Sequence, residues 1–309
     1  MLGSAPVPGG LPLTPTIHAD PDRCTPILRE RIRALFKRFP KALAGDPESI
    51  HQLRVAGRRL RVALPLLARK PRGRRVRRAS SILGELTRGA GGSRDLDVSL
   101  EILDQHIAEL ARRSPELTLL RRRLRGARTR SRDRMAEAVL DLEIAALRRD
   151  LRAVVARRGE RLFTVLVRFR GLRDRRGAKL ITRLEALGSR FEPHELHRLR
   201  IDCRWLRYVA ELGQSLKSQP SEEPAIKLFK QLQEHLGRIH DAHVLATWFG
   251  AQAETARLRG QLPVAAQARR EATHFLERSR SLHREYLELG PLDLVTRALS
   301  SMGWTRTAA

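Results

Sequence analysis

Histidine and arginine recur at a fixed spacing in one short segment, His51, Arg54, Arg58 and Arg61, within IHQLRVAGRRLRVAL. Positions i, i+3, i+7 and i+10 fall within roughly 80° on a helix, so the four side chains share one face. The apolar residues Leu53, Leu60, Leu64 and Leu67 gather on another side. Arginine is the side chain best suited to phosphate, because its planar fork gives two parallel charge-assisted hydrogen bonds and stays protonated at working pH. A histidine among arginines has its charged form disfavoured until an anion arrives. The chemistry these residues point to is therefore capture of a phosphate-rich anion. A solvated surface stripe would mix signs, since like charges at i,i+4 destabilise a helix, and this stripe contains no carboxylate.

The same pattern returns as His197, Arg200, Arg204 and Arg207, with Leu199 and Leu206 on the apolar side and Tyr208 beside the cations. DPESIHQLRVAGRRLR aligns with EPHELHRLRIDCRWLR, seven of sixteen positions being identical, and 146 residues separate His51 from His197. Without a gap, that separation also superposes LTRGAGGSRDLDV on LQEHLGRIHDAHV, matching Gly91 with Gly237 and Asp95 with Asp241. Two separated windows agreeing on one offset indicate an internal repeat. Each copy opens with an acid and a proline, Asp46-Pro47 and Glu192-Pro193. Proline suits the first helical position, and an acid there meets the positive end of the helix dipole, so the two basic helices should begin at those prolines.

Apolar residues keep three- and four-residue spacing from about Ile27 onward, and strand-like alternation is hard to find, which gives an all-α fold. Helix breaks are expected near residues 39–47, 70–73, 89–93, 114–115, 171–177, 188–193, 217–224 and 260–263. On that pattern residues 1–24 form a flexible leader, 25–155 the first helical repeat and 156–309 the second. A further one-sided basic stripe is formed by Arg121, Arg125, Arg128 and Arg132, with His274 and Arg278 matching the last two at the same repeat offset. Arg75, Arg78, Lys227 and Lys230 precede the glycine motifs and could extend a basic surface. Asp95 and Asp241 follow an expected glycine break, where each would either open a helix or orient a stripe arginine. Gly91 and Gly237 would allow a turn or a close helix approach.

The composition sets the partner class. The chain has 309 residues and carries 61 Lys+Arg against 34 Asp+Glu, a formal net charge of +27. Coding bias can favour arginine over lysine, but it does not create the surplus, which implies a polyanionic partner. The two cysteines form neither a disulfide framework nor a metal-ligand spacing. The Pro/Gly-broken N-terminus does not read as a signal peptide, and no apolar run suits a membrane span, so the expectation is a cytoplasmic protein with no membrane partner. There is no P-loop, no HExxH and no outstanding paired-carboxylate site, so no enzyme, cofactor or metal is expected. HELH, ending at His197, has a metal-compatible spacing without further clustered ligands.

The residues quoted above resemble the CHAD family, the conserved-histidine α-helical domains, from about Asp20 to the C-terminus. The resemblance implies two pseudo-symmetric four-helix bundles whose basic helices line a central cavity. It also implies non-enzymatic binding of inorganic polyphosphate and association with polyphosphate granules. His51, Arg54, Arg58, Arg61, His197, Arg200, Arg204 and Arg207 are the phosphate contacts it implies. The first copy departs from the family with Ala90-Gly91-Gly92 in place of a Leu-Gly pair, and with Pro65 interrupting its basic helix. The triphosphate-tunnel signature ExExK, often fused to such units, does not occur, which reads as a stand-alone module. The alternative is a basic helical protein that binds nucleic acid. Aromatic residues are only 4% of the chain, poor material for stacking bases, and no zinc-finger or RNA-recognition motif is present. Oligomeric state is not encoded in these motifs.

Overall fold

The computed structural model describes residues 22–110, 114–157, 162–216 and 222–305. Nearly all of them are helical, with no strand among the described residues. The order is α1 (Cys24–Leu43), α2 (Pro47–Leu67), α3 (Arg74–Glu109), α4 (Pro115–Leu140) and α5 (Ile144–Ala156). It continues with α6 (Leu162–Leu187), α7 (Pro193–Leu216), α8 (Glu223–Leu258), α9 (Leu262–Glu288) and α10 (Pro291–Ser301). The leader, apart from its last residues, lies outside the described residues.

Both basic helices start at the expected prolines. Asp46 caps α2 by accepting a hydrogen bond from the Ser49 backbone N–H at 2.8 Å, satisfying one of the orphan donors of the first turn. Pro65 does not interrupt α2, which runs on to Leu67. Lying in the last turn, that proline removes a single intrahelical donor where the helix is about to end anyway. The turns around residues 44–46, 68–73, 188–192 and 259–261 fall where breaks were expected. The breaks expected near 89–93 and 171–177 are absent: α3 and α6 pass straight through them. Glycine costs a helix interior only about 1 kcal/mol, and tertiary packing outweighs that. As a result Asp95 and Asp241 lie in mid-helix and open no helix.

Buried positions recur with the repeat. At the offset that relates His51 to His197, Ile50, Leu53, Leu60 and Ala63 of α2 correspond to Leu196, Leu199, Leu206 and Val209 of α7, all buried. Val76, Ala79, Leu83 and Leu86 of α3 correspond in the same way to Glu222, Ala225, Phe229 and Leu232, all buried. Past α3 and α8 the buried positions shift register by two. Leu117, Leu120, Ala146 and Leu147 now match Ala265, Ala268, Leu294 and Val295. In that shifted register Arg128 corresponds to Leu276 and Arg132 to Arg280, so His274 and Arg278 are not their structural counterparts.

Two apolar cores result, and each draws on both copies. The larger joins α1, α2, α5, α6, α7 and α10 with the first parts of α3 and α8 and the last parts of α4 and α9. The smaller joins Leu100, Leu103 and Ile107 of α3 and Leu117, Leu120 and Leu124 of α4 to Leu245 and Phe249 of α8 and Phe275 of α9. Within the smaller core, buried His106 on α3 meets buried Glu271 on α9, with 3.0 Å between Nε2 and Oε2. The 36-residue helices α3 and α8, each about 54 Å long, therefore run through both cores. Facing the basic helices, α3 carries Gly91, Arg94 and Asp95 and α8 carries Gly237, His240 and Asp241, which together form a polar waist, while Ile239 and Ala242 beside it on α8 belong to the larger core.

Close packing of α10 on α6 depends on Gly177, where an added Cβ would come within 2.9 Å of Leu299 Cδ2. Gly177→Val should overpack this contact and cost about 1–3 kcal/mol. A lowered urea midpoint at unchanged slope would register that loss, whereas an unchanged midpoint would show that α10 can move aside.

Candidate anion-binding site

The basic helices α2 and α7 lie against the polar waists of α3 and α8. Arg54 is buried, and its Nη1 donates to the Gly91 carbonyl oxygen on α3 at 3.3 Å. A Cβ on Gly91 would sit 3.8 Å from Arg54 Nη2. The second copy repeats the arrangement: a Cβ on Gly237 would sit 3.9 Å from both Nε and Nη2 of Arg200. These glycines make neither turns nor helix breaks. They leave a bare strip of helix backbone that a guanidinium approaches.

Six of the eight stripe residues come together. Arg54 lies within electrostatic reach of Arg58, Arg200 and Arg94, and Arg204 within reach of Arg58, Arg200 and Arg54. Burial, then these like-charged neighbours, holds the Arg54 guanidinium down to about 10 and that of Arg204 to about 9. Both stay charged at neutral pH, but their charge is under-compensated. Arg54 Nε is fully buried without a hydrogen-bond partner. His51 is held below the usual imidazole range by burial and then by Arg94, and His197 by burial, Arg200 and Arg204. Tyr208, buried on α7, lies within electrostatic reach of Arg58 across the junction of the two copies.

The other two stripe residues lie elsewhere. Arg61 is exposed, with Cζ 3.5 Å from where a Gly84 Cβ would be, and its charged neighbour is Arg88. Arg207 Nε lies 3.5 Å from Glu211 one turn on, and Arg59 approaches the same carboxylate at 2.9 Å. Both guanidiniums flank the Tyr208 ring, at 5.2 and 5.7 Å from its centroid.

Two cluster residues were not singled out by the stripe pattern, Arg94 and His240. They occupy equivalent places in the repeat, each just before its aspartate, so the offset already carried the signal. His240 Nδ1 lies 3.3 Å from His197 Nδ1, and burial followed by Arg200 pushes its pKa down to about 3. Asp95 and Asp241 face the arginines. Asp241 is pushed up to about 6, by burial and by Asp95, against the pull of Arg200 and Arg94. Among the described residues no three histidine, cysteine or acidic side chains converge as a metal site.

The secondary cations are mostly engaged locally. Arg121 makes a two-pronged pair with Asp104 at 2.5 and 2.8 Å. Arg128 and Arg132 share Asp97 Oδ1 at 2.7 and 2.9 Å, while Arg125 is exposed on the same helix. Arg78 pairs with Glu143, and both Arg75 and Arg78 approach buried Asp150. Lys227 and Lys230 pair within α8 with Glu223 and Glu234. His274 stacks on His106 with ring centroids 4.4 Å apart, and Arg278 is exposed.

The chain is thus an all-α protein whose waist gathers histidines and arginines from both halves of the sequence. The CHAD domain family model matches residues 26–250, and the chain belongs to that family. The fold is similar to the crystal structure of the CHAD domain from the plant Ricinus communis (TM-score 0.62, 23% identity, 90% of each chain covered). It is also similar to PptA from Streptomyces chartreusis (TM-score 0.65, 17% identity), over 87% of this chain and 99% of that one. No curated protein matches the sequence.

Because the folded-state pKa of Asp241 lies above its unfolded value, its stability contribution is present at low pH. It is lost as pH rises through about 6. Asp241→Asn should therefore raise the melting temperature at pH 8, with a gain that shrinks toward pH 4. An equal gain at both pH values would place the effect in packing instead of charge.

Proposed function

We propose that the waist binds inorganic polyphosphate without catalysis, the role expected in a family whose domains are generally non-catalytic binders. The observation that carries this reading is the pair Arg54 and Arg200, each laid against a glycine of the neighbouring long helix among like charges. Arg58, Arg204, His51 and His197 complete the contacts, with Arg61 and Arg207 at the margins of the site. A chain with a charge on every phosphate would supply the missing counter-charge at several arginines at once. Such binding releases counterions and falls steeply with salt, by analogy with the counterion argument for DNA. In the cell this affinity would place the protein on cytoplasmic polyphosphate granules. Among the described residues no helix is long and apolar enough to cross a membrane.

The quadruple change Arg54→Glu, Arg58→Glu, Arg200→Glu and Arg204→Glu should weaken polyphosphate binding at least 100-fold in a titration at two salt concentrations. Lys227→Glu with Lys230→Glu should change it less than threefold. Duplex DNA at matched phosphate should displace little of the bound chain. Equal displacement by DNA would instead assign the net charge of +27 to general polyanion binding, the nucleic-acid reading.

Affinity should rise on acidification from pH 8 to 6. Burial and neighbouring arginines disfavour the protonated forms of His51 and His197 in the free protein, and a bound anion favours them. Asp241, titrating at about 6, loses its negative charge over the same range and acts with the same sign. Each proton taken up contributes at most about tenfold in affinity per pH unit. Flat affinity between pH 6 and 8, measured by calorimetry in two buffers of different ionisation enthalpy, would remove these groups from the binding equilibrium.

A further inference from the structure

A second arginine constellation lies away from the waist, where α1 and α5 leave a groove of about 630 Å³. Arg29 and Arg33, one turn apart on α1, face Arg148 and Arg152, one turn apart on α5. All four are exposed, no carboxylate lines the groove, and none of the four has an ion-pair partner among the described residues. Between them the groove is floored by half-buried Ile32, Phe36 and Val155, with the Arg148 guanidinium stacked 4.7 Å above the Phe36 ring. Beyond Arg148 and Arg152, the outer face of α5 forms a second depression floored by Ala145, Ala153 and Ala156.

The second copy lacks this groove for a physical reason. The buried series Leu28, Leu35, Phe39 and Ala42 of α1 matches Arg173, Leu180, Leu184 and Leu187 of α6, and the same register pairs Ile32 with Gly177. Gly177 lets Leu299 of α10 close onto α6. In the register that matches Leu147 with Val295, Leu299 is the counterpart of Leu151 on α5. Isoleucine at the matching place in the first copy cannot allow that approach. The residues matching Arg148 and Arg152 are Thr296 and Ser300, so the cations are missing there as well.

We infer that the α1–α5 groove docks an acidic amphipathic helix of a partner protein. Apolar side chains at i, i+3 and i+7 would sit on Ile32, Phe36 and Val155, while flanking carboxylates would meet the four guanidiniums. Charge complementarity selects this occupant. Like charges at i,i+4 on both walls are mutually unfavourable until counter-charge arrives. An apolar floor rewards apolar anchors, the helix-in-groove mode, and gives a bare phosphate chain nothing. A lipid surface would need apolar groups that protrude, and here they are recessed behind arginines.

The test uses the full-length protein and a fluorescein-labelled 16-residue peptide with leucine at i, i+3 and i+7 on a glutamate-rich helix. Anisotropy should report saturable binding, weakened at least tenfold by Arg33→Glu with Arg152→Glu and unchanged by Arg54→Glu with Arg200→Glu. Circular dichroism melting would verify that the exposed charge reversals leave the fold intact. A scrambled peptide of the same composition should bind at least tenfold more weakly. The inference is overturned by equal binding of the scrambled peptide, by absence of binding, or by loss of binding in the waist variant. It is also overturned if the groove variant loses phosphatidylglycerol-vesicle binding or self-association in sedimentation in place of peptide binding. A chain lacking residues 1–21 that binds the peptide ten times tighter would assign the groove to the chain's own N-terminus. The outcome is independent of the polyphosphate reading, since that reading is tested by the waist variant alone.

Discussion

Guanidinium groups held close together and partly withdrawn from water, without enough counter-charge, are the constraint on which the centre of this protein depends. Each such group would rather be solvated, and two apolar cores, one on either side, keep them where they are. Arg54, Arg58, Arg200 and Arg204 are tolerated because leucines on the opposite faces of α2 and α7 are fully buried and anchor the helices regardless. The cores supply the free energy and the waist absorbs the electrostatic cost. An arrangement of this kind carries uncompensated positive charge, which is the physical ground for proposing the waist as a binding site.

Much of this was legible in the residues themselves. The 3.6-residue period placed leucines and arginines on separate faces of α2 and α7, and the prolines at 47 and 193 located both helix starts. The glycine motifs were misread as breaks because intrinsic propensity is a local quantity. The reason for Gly91 and Gly237 is a guanidinium arriving from another helix, which no local rule contains. The stripe also over-reached at its C-terminal end. Arg207 is taken by Glu211, an i,i+4 partner visible in the sequence, whereas in the first copy Pro65 occupies the matching place and leaves Arg61 in solvent. The gapless offset failed beyond α3 and α8 because α8 continues past the position equivalent to the end of α3, and burial is what reveals the changed register.

Divergence between the copies is concentrated away from the waist. The buried positions of α2 and α3 persist in α7 and α8, while α5 and α10 pack differently on their neighbours. One position decides much of that difference: a glycine on α6 admits α10, and an isoleucine on α1 holds α5 away. A repeat can thus preserve a shared central site and still develop two unlike ends.

The continuity of α3 and α8 has a consequence for how the molecule can come apart. Each long helix is shared by both cores, and each core takes side chains from both copies, so melting either core removes the support of the other through the same rigid elements. The sequence repeat therefore does not coincide with the cooperative unit of folding, which spans the whole assembly of ten helices described. Partial opening that released an anion at the waist while sparing both cores would have to break a helix in its middle, where nucleating the lost turns again is costly. On the proposed reading, release of a bound anion would then fall to the side chains and to α2 and α7, with the long helices as a fixed spine.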